Sequence, residues 1–284
     1  MSYLDKIRAC NAWDPRGFLP FFALGQRVGS LRPGFAAELR RWPWRFRVAG
    51  GRVDWTDPPG SFLERSAQIA EVLATLVDAG VIAYLHGEPY GLTPGRREQA
   101  LCLIDRAAAP YFGARAFGQH LNGFVRGVDG IALWVGRRAA DRRIYPLHLD
   151  NLVAGGLPYG ISLADNLVKE CREEADIPPD LARQAVAVGA VSYCRDSEHG
   201  LKPDVMYCYD LELPPEFIPR CTDGEVESFQ RLPAAEVARL VRDTDDFKLN
   251  CNLVVLDFLI RHGLLPQEEP DYLAILQGLR SPLP

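Results

Sequence analysis

Glu170, Glu173 and Glu174 lie at spacing i, i+3, i+4. In a helix that spacing makes them surface neighbours, and like charges so placed repel. Carboxylate oxygens are what a hard cation such as Mg2+ prefers, so a bound cation would relieve the repulsion. Upstream, residues 154–160 hold Gly155, Gly156 and Gly160. Glycines permit close approach to a neighbour or a positive φ. An acidic helix alone is more often a solvated surface; the glycine loop running into it points instead to a metal–phosphate site.

The helix carrying the three glutamates is well specified. Ser162 is a good N-cap, with Asp165 three residues on. Leu163, Ala164, Leu167, Cys171 and Ala175 form one apolar stripe, with the glutamates at its border and Lys169, Arg172 and Asp165 toward solvent. Other candidates lie on predicted strands. Glu225 and Glu227 are two apart, which in a strand puts them on one face. Arg137 and Arg138 end a strand, and a guanidinium fork matches diphosphate oxygens. His120 and Asn122 stand one strand earlier as candidate substrate contacts, while Asp150 and Asn151 suit a bracing role through local hydrogen bonds. Arg142 and Arg143 read as solvated.

The elements that must position these groups divide the chain. Residues 1–112 read as a small α+β unit. Hairpins are predicted at 18–31 and 44–55, a helix at 61–79 with a Ser61/Glu64 capping box, a strand at 81–85 and a helix at 102–112. Trp42, Trp44, Phe46 and Trp55 read as core aromatics. Residues 113–265 alternate strands and helices. Strands are expected at 117–126, 130–137, 185–195, 205–213 and 225–232, and helices open at Pro233 and span 248–262. Residues 266–284 form a tail with a helix at 271–279. Strands, helix, strands, helix imply an α/β fold, a mixed sheet between helices.

Composition bounds the function. The chain has 284 residues, of which 24% are charged and 48% hydrophobic, ordinary for a globular protein. A net charge of −5 argues against a general nucleic-acid or membrane surface. No apolar run reaches the roughly 18 residues of a membrane span, and the first residues lack the apolar core of a signal peptide. Seven cysteines without C-x-x-C spacing argue against a zinc site or a disulfide framework and fit a reducing cytoplasm.

Residues 155–177 resemble the box of the Nudix hydrolases, G-x5-E-x7-R-E-U-x-E-E-x-G-U with U aliphatic. Gly155 matches the first Gly, Glu170 follows the Arg position, Cys171 takes the first U, Glu173 and Glu174 the paired carboxylates, and Ile177 the last U. Ile161 stands where the first Glu belongs, Lys169 replaces Arg, and Asp176 replaces the last Gly. The segments Phe117–Val125, Leu133–Arg138, Tyr145-Pro146, Leu149–Gly156 and Asp223–Phe229 resemble the branch found in chains fused to thiamin pyrophosphokinase. There too the box lacks its first Glu, and an N-terminal domain of similar length precedes it. Leu147-His148 departs from the Gly-Met of that branch.

The resemblance implies an α/β/α sandwich with a mixed sheet, preceded by the small α+β domain. It implies Mg2+, with Mn2+ as the alternative, held by Glu170, Glu173 and Glu174, and a late ligand or general base at Glu225 or Glu227. The substrate it implies is thiamin diphosphate or its oxo and oxy derivatives, cleaved to the monophosphate. The diphosphate would be met by Gly155 and Gly156, with Arg137, Arg138, His120, Asn122 and Glu227 nearby. Rival readings are hydrolysis of ADP-ribose or NADH, and a non-catalytic binding module. A small-molecule diphosphate is the expected partner, with a monomer and a homodimer both open.

Overall fold

A computed structural model describes residues 1–284. The chain opens with α1 (Tyr3–Cys10), whose Ser2 and Asp5 close a reciprocal cap. β1 (Leu19–Ala23) and β2 (Gln26–Leu31) form the first hairpin, turned by Leu24-Gly25 at positive φ. α2 (Pro33–Glu38) starts with Pro in its first turn, where no amide donor is missed. β3 (Phe46–Ala49) and β4 (Arg52–Trp55) form the second hairpin, across Gly50-Gly51. β1 and β4 pair in parallel, giving the sheet order β2-β1-β4-β3. α3 (Phe62–Asp78) buries Ile69, Val72, Leu73 and Leu76 in the same core as Phe21 and Val53. β5 (Pro89–Leu92) and β6 (Cys102–Asp105) make a separate antiparallel hairpin.

Three local expectations change here. The helix expected at 102–112 is absent: residues 102–105 are a strand and 106–113 a run of turns. Cys102 and Ile104 are buried while Leu103 and Asp105 are half-buried, the alternation of a strand pairing with β5. Residues 81–85 run without regular structure because no strand is placed to pair with them. Trp44 is 68% exposed, so it is not a core aromatic; Phe46 and Trp55 are.

The second half contains β7 (Ala116–Gly127), β8 (Gly130–Arg138), β9 (Leu149–Asp150), β10 (Val153–Gly156), α4 (Leu163–Ala175) and α5 (Pro179–Ala182). β11 (Val186–Ser197), β12 (Gly200–Glu212), β13 (Val226–Pro233), α6 (Ala234–Asp243), α7 (Cys251–Arg261) and α8 (Tyr272–Gly278) complete it. The seven strands form one mixed sheet of order β11-β12-β7-β8-β13, with β12 and β7 parallel. β7 is shared lengthwise. Its first half pairs with β10 and its second half with β8, while the end of β8 pairs with β9.

One face of this sheet packs Leu121, Val125 and Leu152 against Leu167, Cys171 and Ala175 of α4. The other packs Phe124, Leu133 and Val135 against α6, α7 and α8. The result is an α/β/α sandwich. α7 is buried along Cys251–Leu259, as a helix apolar almost all round must be.

The N-terminal unit has its own core, from Phe21 to Ala114. We propose a division near residue 113, crossed by α1, since Tyr3, Ile7 and Cys10 join the core of the large sheet. The tail joins that core as well. Ile275 and Leu279 are fully buried, and the backbone of Ser192 on β11 pairs with Leu279 and Ser281 at 3.0 and 3.1 Å. We therefore propose that residues 266–284 belong to the large unit.

Candidate active site

Ser162 caps α4 by accepting the Asp165 N–H at 3.0 Å. α4 ends at Asp176, whose backbone is left-handed (φ 53°), while the Ile177 N–H reaches back to the Cys171 carbonyl at 3.0 Å. A left-handed residue is what closes a helix end, and Asp is among the few side chains that tolerate it. This accounts for Asp176 where the box has Gly. Leu147, where the branch the sequence resembles has Gly, is also left-handed (φ 60°).

Glycines 155 and 156 serve by absence of bulk rather than by φ. A Cβ on Gly155 would lie 2.4 Å from the Glu170 carboxyl carbon. A Cβ on Gly156 would lie 2.5 Å from the Tyr90 hydroxyl and 3.1 Å from Arg106 Nη1. Gly160 is the one with positive φ, 90°. β10 thus lies flat against α4 on one side and accepts the N-terminal unit on the other.

The three carboxylates have different surroundings. Glu174 is 7% exposed and accepts the Ala154 N–H at 2.7 Å. Burial pushes its pKa up to about 8, against the pull of that N–H and with Asp150 and Glu170 adding like charge. Burial also raises Glu170, opposed by Lys169 and helped by Glu173 and Glu88. Glu173 is half exposed. Lys169 Nζ bridges Glu173 at 2.6 Å and Glu170 at 3.2 Å. Lys169, expected toward solvent, thus occupies the repulsive cluster and accounts for a cation at the Arg position of the box.

The donor set is all oxygen, and Gly155 leaves the Glu170 carboxylate its space, so these residues fit a hard divalent cation. The three glutamates do not bring their carboxylates within 4.8 Å of one another; the group that does converge so closely is a different one, His120, Asp150 and Cys251. Its Asp150 is already spent: Arg138 donates at 2.9 Å, Lys248 at 3.1 Å and the Cys251 thiol at 2.7 Å. Two buried cations beside one carboxylate oppose a dication there. Burial alone would raise Asp150, but Lys248, His120 and Arg138 hold it down at about 2.

His120 and Asn122 do not face the carboxylates, which corrects their expected substrate role. They share the β7 face turned to α7, while Gln119 and Leu121 face α4. They are 2% and 1% exposed. His120 Nδ1 donates to Asn151 at 2.8 Å, and burial with Lys248 nearby lowers its pKa to about 4, so the ring is neutral. Asn122 is spent on Asp210 and Asn151.

Arg138 is also spent, on Asp150 and on the carbonyls of Ile144 and Tyr145. Its expected diphosphate role is corrected to bracing loop 139–148. Arg137 donates to the Leu147 carbonyl at 2.7 Å and is half-buried. Glu225 lies just before β13, paired with Arg142 at 2.8 Å, so Arg142 is not a free surface cation. The β13–β8 register slips between Val226 and Ser228. Glu227 is the extra residue at that slip and is exposed, so the expected shared face with Glu225 does not hold.

Residues of the N-terminal unit, which spacing could not associate with the box, surround its loop. Tyr159 stacks on Phe62 with centroids 5.3 Å apart, and its N–H donates to the Pro89 carbonyl at 2.7 Å. Arg97 donates to the carbonyls of Pro158 and Ile161. Ile161 therefore contributes its backbone where the box has a glutamate side chain. Arg143 sits 4.2 Å over the Tyr84 ring. A separate cleft of about 550 Å3, lined by Phe35, Tyr111 and His199, lies apart from the carboxylates.

A family model described as a domain of unknown function (DUF4743) matches residues 2–116. Nudix hydrolase 24, chloroplastic, of Arabidopsis thaliana is 43% identical over 284 residues, covering 99% of this chain and 78% of its own length. The chain belongs to the Nudix hydrolase family. Nudix hydrolase 20, chloroplastic, of the same plant is 42% identical with the same coverage. As a Nudix hydrolase the protein acts on pyrophosphate bonds, and hydrolases of this family generally use a divalent metal. Among solved structures, the Nudix domain of Shewanella oneidensis NrtR complexed with ADP ribose aligns with 53% of this chain and 90% of its own, at 13% identity and TM-score 0.42. DR0079 from Deinococcus radiodurans aligns with 60% of this chain and 98% of its own, at 20% identity and TM-score 0.43. No helix of this Nudix hydrolase is long and apolar enough to cross a membrane.

Proposed function

We propose that this Nudix hydrolase cleaves thiamin diphosphate, or its oxo and oxy analogues, to the monophosphate with Mg2+, or Mn2+ in its place. The observation that carries the diphosphate chemistry is the three carboxylates of α4, two of them bridged by Lys169, with Gly155 giving the Glu170 carboxylate its room. Support for the thiamin moiety is the resemblance of segments 117–125, 133–138, 149–156 and 223–229 to the thiamin-related branch. A bound divalent cation would neutralise phosphate charge and make a coordinated water more acidic. Glu170, Glu173 and Glu174 would hold it. Glu225, outside α4 and held by Arg142, is the candidate to take the proton of the attacking water. The N-terminal unit, which clamps residues 157–161, would shape the space for the organic half. Seven free cysteines support a reducing compartment such as the cytoplasm.

The test is release of hydrolysis products, orthophosphate from thiamin diphosphate and oxythiamin diphosphate and two monophosphates from ADP-ribose and NADH, with Mg2+ and with chelator. The proposal expects the thiamin compounds to give the highest kcat/KM and chelator to abolish release. Preference for ADP-ribose or NADH would replace the substrate. Tight ligand binding without any release would favour a binding module.

A further inference from the structure

Of the cations expected near the diphosphate, Arg138 is spent in the loop and Arg137 donates to the Leu147 carbonyl; Arg142 and Lys169, expected in solvent, pair with Glu225 and with the glutamates. One further cation reaches the glycine pair, and it comes from the N-terminal unit. Arg106 Nη1 lies 3.1 Å from where a Gly156 Cβ would stand, beside the Tyr90 hydroxyl at 2.5 Å. Its side chain is 41% exposed, and its bond to Glu88, 2.6 Å from Nη1, uses one of five guanidinium donors.

The hairpin presenting it is firmly set. The Arg106 N–H donates to the Glu88 carbonyl at 2.9 Å, and the Asp105 carboxylate accepts the N–H groups of His86 and Gly87 at 2.9 and 2.7 Å. Pro89 in turn holds Tyr159 of the loop beyond Gly156. Glu88, Glu170 and Glu225 gather around this point, the last paired with Arg142 and Glu170 with Lys169, and a diphosphate entering among them needs a further positive donor. A planar guanidinium matches phosphate oxygens in geometry as well as charge.

We propose that Arg106 binds the substrate diphosphate directly, with Glu88 and Tyr90 holding its guanidinium over Gly156, so that the N-terminal unit supplies a phosphate-binding residue of the active site. This rests on the diphosphate reading above, but not on the thiamin moiety. In the full chain with Mg2+, Arg106→Ala should raise KM for thiamin diphosphate by about 10- to 100-fold, the loss of a charged hydrogen bond, with kcat within about threefold. Arg106→Lys should recover part of the loss, and Mg2+ binding alone should not change. Calorimetry with inorganic pyrophosphate and Mg2+ supplies a readout without turnover, and Arg106→Ala should weaken that binding by a similar factor. Unchanged pyrophosphate affinity in a folded Arg106→Ala chain overturns the inference while leaving the substrate reading standing. Arg106-dependent pyrophosphate binding in a wild-type chain that ignores thiamin diphosphate removes the substrate and keeps the inference. If Arg106→Ala does not fold, Arg106→Lys decides, because it keeps the charge but not the fork; wild-type affinity for pyrophosphate there counts against a guanidinium contact.

Discussion

Glu174 accepts one backbone N–H and is otherwise buried, so without a cation it holds its proton to about pH 8. The folded value lies above the ordinary 4.5, so the folded chain binds more protons than the unfolded one between those values. Glu174's contribution to metal-free stability should therefore be fully present below about pH 4.5 and be lost as pH rises through about 8. Mg2+ affinity should rise across the same window, with proton release on binding. Thermal melts from pH 5 to 9 with Mg2+ or chelator, and calorimetry in buffers of different ionisation enthalpy, check both. Glu174→Gln can keep the Ala154 hydrogen bond, so its metal-free melting temperature should stay within about 2 °C of wild type. Its kcat should fall by about 100-fold or more, several kcal/mol of lost charge stabilisation. A folded variant with wild-type turnover would remove Glu174 from the site.

At the scale of elements, two departures from the family pattern share a cause. Asp176 and Leu147 both place a side chain in left-handed backbone, at positions where the box and the branch the sequence resembles have glycine. Leu147→Gly should stabilise the chain by about 1 kcal/mol, the left-handed penalty less the added freedom of the unfolded glycine. Asp176→Gly should gain less, since it loses the Arg172 pair at 2.5 Å. Urea denaturation measures both. Loop 157–161 should depend on the N-terminal clamp. Arg97→Ala removes donors to two loop carbonyls, so hydrogen exchange at Tyr159 should quicken and kcat/KM should drop while α4 stays protected.

For the whole molecule, the two units are bound both through the loop and through α1. A fragment of residues 113–284 would lose Tyr3, Ile7 and Cys10 from the large core, together with every contact of the β5–β6 hairpin. It should melt below the full chain and, where folded, discriminate poorly among the diphosphate panel. Full selectivity in that fragment would place recognition entirely in the Nudix half.

Much of this was legible in the amino-acid order, because it depends on local periodicity. The 3.6-residue pattern with Ser162 delimits α4, and period-two alternation gives most strands. The arc from Leu163 to Leu167 already contains Glu174, so its burial could have been read from the helix as well. The same alternation, applied from Leu121, would have turned His120 and Asn122 to the far face. Long-range packing decided the rest. The slip at Glu227 and the approach of Arg97 and Arg106 depend on partners tens of residues away, while the strand at Cys102 and the saturation of Arg138 depend on how nearer loops and strands fold back on them. Gly156 shows the difference best: its place in the motif can be read in sequence, but the need for glycine comes from Tyr90 and Arg106, which only the tertiary fold brings against it.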